Sequence, residues 1–83
     1  MKEIKTLTLA TLKNCSHCFT AKVLLKKYNI KYEELLWDEK ENEELFDKLE
    51  IKTVPVLLIP VEDGIKKIAG EIEIGKYAKE NED

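Results

Sequence analysis

The sequence predicts an α/β fold in which a four-stranded mixed sheet carries helices on both faces, with the element order β-α-β-α-β-β-α. Three observations indicate this class. Apolar, β-branched segments alternate with segments of helical periodicity along the first half of the chain. A strand–helix–strand unit at the start predicts a parallel pair joined by a crossover. The "VEDG" turn signal near the end predicts an antiparallel pair.

The first strand is predicted over Ile4–Leu12, where β-branched and leucine residues run without clean polar alternation. This pattern is typical of a central strand that is buried on both faces. An amphipathic helix is predicted after it, with Cys15 at or just before the first turn. The apolar residues that recur at helical spacing are Cys18, Ala21, Leu24, Leu25 and Tyr28.

The second strand is predicted over Ile30–Trp37, and a second helix follows it and ends near Glu50. Asp38 is predicted to be the N-cap of that helix, because Glu41 three residues later completes a capping-box pattern. The helix is predicted to bury Leu45, Phe46 and Leu49.

A hairpin and a short helix are predicted for the rest of the chain. "KTVPVLLIP" has its first proline near the start of a hydrophobic strand, where a missing N–H does least harm to the ladder. "IKKIAG" is predicted to return beside it as the fourth strand. The tail "EIEIGKYAKENED" predicts a helix that Gly75 weakens, although strand alternation fits its start equally well.

Length and charge exclude several classes of protein. With 83 residues, the chain is expected to form one domain over 1–83. A net charge of −3 without a basic stripe argues against nucleic-acid binding. No apolar run approaches the roughly 20 residues that span a bilayer. The charged N-terminal segment lacks the apolar region of a signal peptide. We therefore expect a cytoplasmic monomer that does not bind membranes.

Both cysteines lie in the stretch "LKNCSHCFTAKVLL", where they form a C-x-x-C with the chain's one histidine between them. Two cysteines placed at random in a chain of this length would have this spacing only about 2% of the time, and a cytosolic pair indicates catalysis or metal binding. A structural zinc site needs four ligands, whereas this segment offers Cys15, His17 and Cys18, so no metal site is predicted. The pair follows the first strand, and such sheets bind ligands at the carboxyl ends of their parallel strands.

The chain resembles the glutaredoxins, a family within the thioredoxin-like superfamily. The segments that carry the resemblance are "CSHCFTAKVLL" after the first strand, "YEELLWD" on the second, "TVPVLLI" entering the third, and Gly70 at the end of the fourth. They span nearly the whole chain in the family's order. The resemblance therefore implies a thioredoxin-like fold and thiol–disulfide chemistry.

The resemblance implies distinct roles for the two cysteines. Cys15 is the expected nucleophile, because the positive end of a helix favours its thiolate. Cys18 is the expected resolving thiol, with a higher pKa inside the first turn. His17 is expected to tune the pair by stabilising the Cys15 thiolate and hence the reduced form.

The resemblance also implies an edge that binds substrate or glutathione. Pro55 is expected to follow a cis peptide bond, with Val54 offering backbone groups to an extended thiol substrate. The family commonly ends the fourth strand with two glycines and an aspartate or serine nearby, whereas this chain has one glycine and then Glu71, a carboxylate that would repel the carboxylate of glutathione. The residues expected along this edge are Lys13, Thr53, Val54, Pro55, Gly70 and Glu71.

The predicted function is that of a small dithiol–disulfide oxidoreductase that reduces protein disulfides or glutathione mixed disulfides. Glutathione is the expected co-substrate, and no tightly bound cofactor is predicted. One alternative is a thioredoxin-like electron carrier that a flavin reductase reduces in place of glutathione. A non-enzymatic alternative is a dimeric carrier of an iron–sulfur cluster, with one cysteine from each chain plus glutathione.

Overall fold

The predicted sheet is confirmed: four strands form one mixed sheet in the order β2-β1-β3-β4. The two strands of the strand–helix–strand unit pair in parallel, and each later strand pairs antiparallel to its neighbour. The strands are β1 (Thr8–Thr11), β2 (Glu33–Leu36), β3 (Val56–Val61) and β4 (Gly64–Ala69).

The structure is a computed structural model that describes residues 5–82. Ile4, where the first strand was predicted to begin, lies outside the described residues. β1 is buried along its whole length, as expected for a central strand. β2 is shorter than the predicted Ile30–Trp37, although the backbone N–H of Trp37 still donates to Thr11 O at 2.8 Å.

Helices cover both faces of the sheet. The helix α1 (Ser16–Lys27) and the helix α3 (Glu71–Glu80) pack against each other on one face. The helix α2 (Glu43–Lys48) lies on the other face, after a 3₁₀ turn at Lys40–Asn42. The tail is therefore helical, and Gly75 lies inside α3.

The strand pleat divides the core into two clusters, because neighbouring strand residues point to opposite faces. Leu9 pairs with Leu57 across β1 and β3, and both contribute to the cluster beneath α1 and α3. Ala10 pairs with Val56, and both contribute to the cluster beneath α2. The sheet thus buries apolar residues on both faces, as the lack of clean polar alternation in β1 and β3 predicts.

The predicted N-cap at Asp38 is wrong. The helical segment starts with the 3₁₀ turn at Lys40, and the preceding Glu39 makes no side-chain cap hydrogen bond. The segment is anchored by Asn42 instead, whose buried side-chain amide donates to Leu36 O at 2.9 Å. Satisfying that buried amide places the regular helix after Asn42, four residues beyond the predicted cap.

Two aromatic residues fix the end of β2 against α2. The rings of Trp37 and Phe46 are stacked, with centroids 5.1 Å apart and an angle of 15° between the ring planes. Phe46 is fully buried, and Trp37 is a partly buried neighbour of the same cluster.

Within residues 5–82, no helix has the length and apolar character needed to cross a membrane.

Candidate active site

The start of α1 positions the cysteine pair. Cys15 is the N-cap of α1, with φ −103° and ψ 112°, and its carbonyl accepts the N–H of Phe19 at 3.0 Å. Its Sγ accepts the backbone N–H of Cys18 at 3.3 Å. Asn14 makes the preceding turn with φ 57°, a left-handed conformation that asparagine tolerates better than most residues. The Cys15 sulfur therefore lies at the positive end of the helix dipole, where an anion is stabilised.

The two thiols have different environments. Cys15 is partly exposed, whereas only 2% of Cys18 is exposed, and both cysteines are free. Burial raises the pKa of the Cys18 thiol to about 11, and a hydrogen bond with Cys15 adds to the rise. The backbone of Leu12 and the charge of Lys22 act in the opposite direction. Cys18 is thus held as a protonated thiol at neutral pH.

A charged pair lies beside the cysteines. The Lys22 ammonium contacts Glu34 Oε2, and the buried Thr11 hydroxyl donates to the same oxygen at 2.7 Å. Burial acts to raise the pKa of Glu34, but the hydrogen bonds from Lys22 and Thr11 outweigh it and lower that pKa. The bond to Glu34 likewise raises the pKa of Lys22. The pair is therefore ionised at neutral pH.

An open groove of about 680 Å³, the cysteine groove, runs along this side of the pair. Lys13 lies on this groove, whereas Val54, Pro55, Gly70 and Glu71 do not, and exposed Phe19 flanks it one turn into α1. The groove therefore combines a partly exposed cysteine thiol, two lysines and an apolar side chain. Its lining residues are Leu12–Ser16, Cys18, Phe19, Lys22, Glu34 and Leu36.

The loop before β3 forms the other side of the site. The Val54–Pro55 peptide bond is cis, as the resemblance implied. The N–H of Gly70 donates to Pro55 O at 3.0 Å, which fixes the start of α3 against this loop. Gly70 has φ 90°, a conformation that residues with a Cβ rarely adopt.

A second groove, the proline groove, has a volume of about 390 Å³. His17 and Glu71 are joined across it, with Nδ1 of the imidazole 2.9 Å from Oε1 of the carboxylate. The histidine side chain is exposed, whereas only 28% of the glutamate side chain is. The groove is lined by His17, Val54, Pro55, Ala69, Gly70, Glu71, Ile72 and Glu73.

The structure brings most of the predicted site residues onto these two grooves. Thr53 is the exception, because it is exposed and lines neither of them. The pairing of His17 with Glu71 was not foreseen, nor was the role of Lys22 and Glu34 beside Cys18. The sequence carries no signal for either pair, because their partners are 54 and 12 positions apart and meet only in the folded chain.

Metal ligands are not clustered in the part of the chain that the structure describes. Within residues 5–82, no group of three or more His, Cys, Asp or Glu side chains is arranged to hold a metal ion.

Solved structures with the same architecture are thioredoxin-fold proteins. Thioredoxin f from spinach chloroplast matches with a TM-score of 0.61 and 20% identity, over 89% of this chain and 75% of that one. A thioredoxin from Thermus thermophilus matches with a TM-score of 0.58 and 16% identity, over 90% and 68%. At these identities the likeness concerns the fold, and the protein has the thioredoxin-like α/β fold.

A third structure with this architecture is part of a larger protein. Maleylacetoacetate isomerase from Anaeromyxobacter dehalogenans 2CP-1, with glutathione bound in its active site, matches with a TM-score of 0.70 and 18% identity. The match covers 93% of this chain, which spans 38% of the isomerase. A comparison with curated protein sequences finds no significant match.

Family membership follows from the match of a family profile to the sequence. The glutaredoxin family profile matches residues 7–62, which is more than half of the chain and includes the C-x-x-C, β2 and the cis proline. The chain belongs to the glutaredoxin family. Membership supports a thiol-oxidoreductase function in general.

Proposed function

We propose that the protein is a dithiol–disulfide oxidoreductase that uses Cys15 as nucleophile and Cys18 as resolving thiol. The observation that carries the proposal is the contrast between the two sulfurs. Cys15 is partly exposed at the N-terminus of α1, and its Sγ accepts a backbone N–H. Cys18 is buried, and its pKa is raised to about 11.

The reaction begins with attack of the Cys15 thiolate on one sulfur of the substrate disulfide. A mixed disulfide forms between Cys15 and that sulfur, and the other substrate sulfur leaves as a thiolate. Cys18 then loses its proton to solvent, and its thiolate attacks Cys15 Sγ. The second substrate thiolate leaves, and an internal Cys15–Cys18 disulfide remains. Two electrons have passed from the protein to the substrate.

The experiment that tests this function follows reduction of insulin disulfides with dithiothreitol as electron source. The native protein should accelerate the reaction, and Cys15→Ser should leave only the uncatalysed rate. When the reduced Cys18→Ser variant is mixed with insulin without dithiothreitol, it should stop at a mixed disulfide on Cys15, visible as an added mass by intact mass spectrometry. A Cys15→Ser variant as fast as the native protein would overturn the proposal.

The source of the electrons has two candidates, and both act on the same internal disulfide. Glutathione would reopen it in two steps and leave as oxidised glutathione. A flavin-containing reductase would reopen it by direct dithiol exchange. The His17–Glu71 pair favours the reductase, because it places a carboxylate next to the start of α3, where the positive helix end would otherwise attract an anion.

The two sources are separated by measuring how fast each reduces the internal disulfide of the oxidised protein. Trp37 lies at the same sheet edge as Thr11, so its fluorescence is the first signal to follow. We expect glutathione at millimolar concentration to reduce the native protein more slowly than the Glu71→Gln variant. Equal rates for the two proteins would remove the argument for the reductase.

A further inference from the structure

The charge of the proline groove has a consequence for which disulfides can reach Cys15. Two carboxylates, those of Glu71 and Glu73, lie on this groove. Lysine and arginine are absent from the described residues that line it. Lys76 pairs with Glu73 from the next turn of α3, at 3.5 Å, so part of that charge is offset. Glu71 pairs with the imidazole of His17, which offsets the charge of the carboxylate only when the imidazole is protonated.

The position of Glu71 is fixed from two directions. Its carboxylate is bonded to His17, which lies two residues after the nucleophile in the first turn of α1. Its backbone follows Gly70, whose N–H is bonded to Pro55 O. His17 also lies on this groove, so a substrate chain that runs along Val54 and Pro55 toward the start of α1 lies beside this carboxylate. The carboxylate is also partly shielded from water, which weakens screening by solvent.

We propose that Glu71, positioned by His17, selects disulfides in proteins whose cysteine is flanked by lysine or arginine, and disfavours substrates that carry a carboxylate there. The proposal rests on the proposed function, because it concerns which substrates the Cys15 thiolate attacks. A flanking ammonium or guanidinium would pair with Glu71 in the mixed disulfide. A carboxylate at the same place, such as those of glutathione, would face a like charge.

The test uses the reduced native protein and two matched peptide disulfides. These are the disulfide-linked dimers of the capped pentapeptides Ala-Lys-Cys-Lys-Ala and Ala-Glu-Cys-Glu-Ala. The second-order rate of protein oxidation is measured for each peptide and divided by the rate of the same peptide with dithiothreitol, which removes differences in intrinsic reactivity. We expect the corrected rate to be about tenfold higher for the lysine peptide, the size of two modest charge interactions.

The variants assign the selectivity to Glu71. Glu71→Gln should reduce the ratio to about threefold or less, and Glu71→Lys should reverse it. The matched control is Glu80→Gln, which removes the same charge at the other end of α3, roughly 14 Å along the helix axis, and should keep the native ratio. In 1 M salt, where the Debye length is about 3 Å, the native ratio should shrink.

The possible failures can be told apart. An unchanged ratio in Glu71→Gln, or a native protein that prefers the glutamate peptide, would overturn the selectivity while leaving the proposed function intact. If neither peptide oxidises the native protein, or if Cys15→Ser is as reactive as the native protein, the proposed function itself fails.

Discussion

At the scale of single residues, the two cysteines differ because a helix begins between them. Cys15 accepts a helix N–H and stays partly exposed, whereas Cys18 lies one turn deeper and is 2% exposed. The same four-residue motif therefore holds one partly exposed sulfur at the helix N-terminus and one buried sulfur. A pKa of about 11 leaves roughly one Cys18 thiol in ten thousand ionised at pH 7.

Lys22 is expected to assist the second step of the reaction, because its charge acts to lower the pKa of Cys18. Lys22→Met should raise that pKa further and slow the attack of Cys18 on the mixed disulfide about two- to fivefold at pH 7. The rate of that attack is measured by rapid quenching with acid and mass spectrometry. In both proteins it should rise with pH between 6 and 9, because ionisation of Cys18 limits it.

The control for this prediction is Lys26→Met, which removes a lysine from the next turn of α1. This variant should resolve the mixed disulfide at the native rate. If Lys22→Met also resolves it at the native rate with an unshifted pH profile, Lys22 serves only the ion pair with Glu34.

At the scale of elements, the packing of α1 on α3 depends on a glycine. A Cβ added at Gly75 would lie 3.1 Å from Leu24 Cδ1, closer than most such contacts. Glycine in a helix interior costs about 1 kcal/mol relative to alanine. The glycine lies where α1 approaches α3 closely. Gly75 therefore lowers the helix propensity of α3 but leaves room for the side chain of Leu24.

A double-mutant cycle measures this balance. In the native background, Gly75→Ala should change the free energy of unfolding by less than about 0.5 kcal/mol, because better helix propensity is offset by displacement of Leu24. In the Leu24→Ala background, Gly75→Ala should raise the free energy of unfolding by about 1 kcal/mol. Urea unfolding of the four proteins gives the values. Equal effects in both backgrounds would mean that the contact with Leu24 carries no energy.

At the scale of the whole molecule, one carboxylate connects three elements. Glu34 on β2 bonds Lys22 on α1 and Thr11 on β1, beside the cysteine groove. Because these bonds lower the pKa of Glu34 below its ordinary value of 4.5, the ionised carboxylate stabilises the fold at pH above that value. This contribution to stability is lost as the pH falls through the lowered pKa of Glu34, because the carboxylate is then protonated.

Glu34→Gln is therefore expected to lower stability by about 0.5–1 kcal/mol at pH 7, the range of a partly exposed ion pair. The difference in the free energy of unfolding between Glu34→Gln and the native protein should become smaller as the pH falls below 4.5. Thermal unfolding between pH 3 and 7 measures it. Glu33→Gln, the same change one residue earlier on β2, is the matched control. A deficit of Glu34→Gln that persists undiminished at pH 3 would contradict the assignment.

The sheet, the existence of the first two helices and the place of the cysteine pair can be predicted from the sequence alone, whereas strand alternation and helix fit the start of the tail equally well. The predicted elements follow from neighbouring residues: the lack of polar alternation along β1, the helical spacing after Ser16, and the turn before Gly64. The prediction from sequence misjudged the start of α2, because the capping pattern at Asp38 is local and the anchor that decides is a buried bond from Asn42 to β2.

The electrostatics of the site depend on contacts that form only in the folded chain. His17 and Glu71 are 54 positions apart, and Lys22 and Glu34 are 12 apart, so no spacing rule relates either pair. They meet because the fold packs α1 against α3 and brings Lys22 of α1 next to Glu34 of β2. A charge acts on whatever the fold places within a few ångströms of it, and the fold sets that distance through packing of the core rather than through the charged residues themselves.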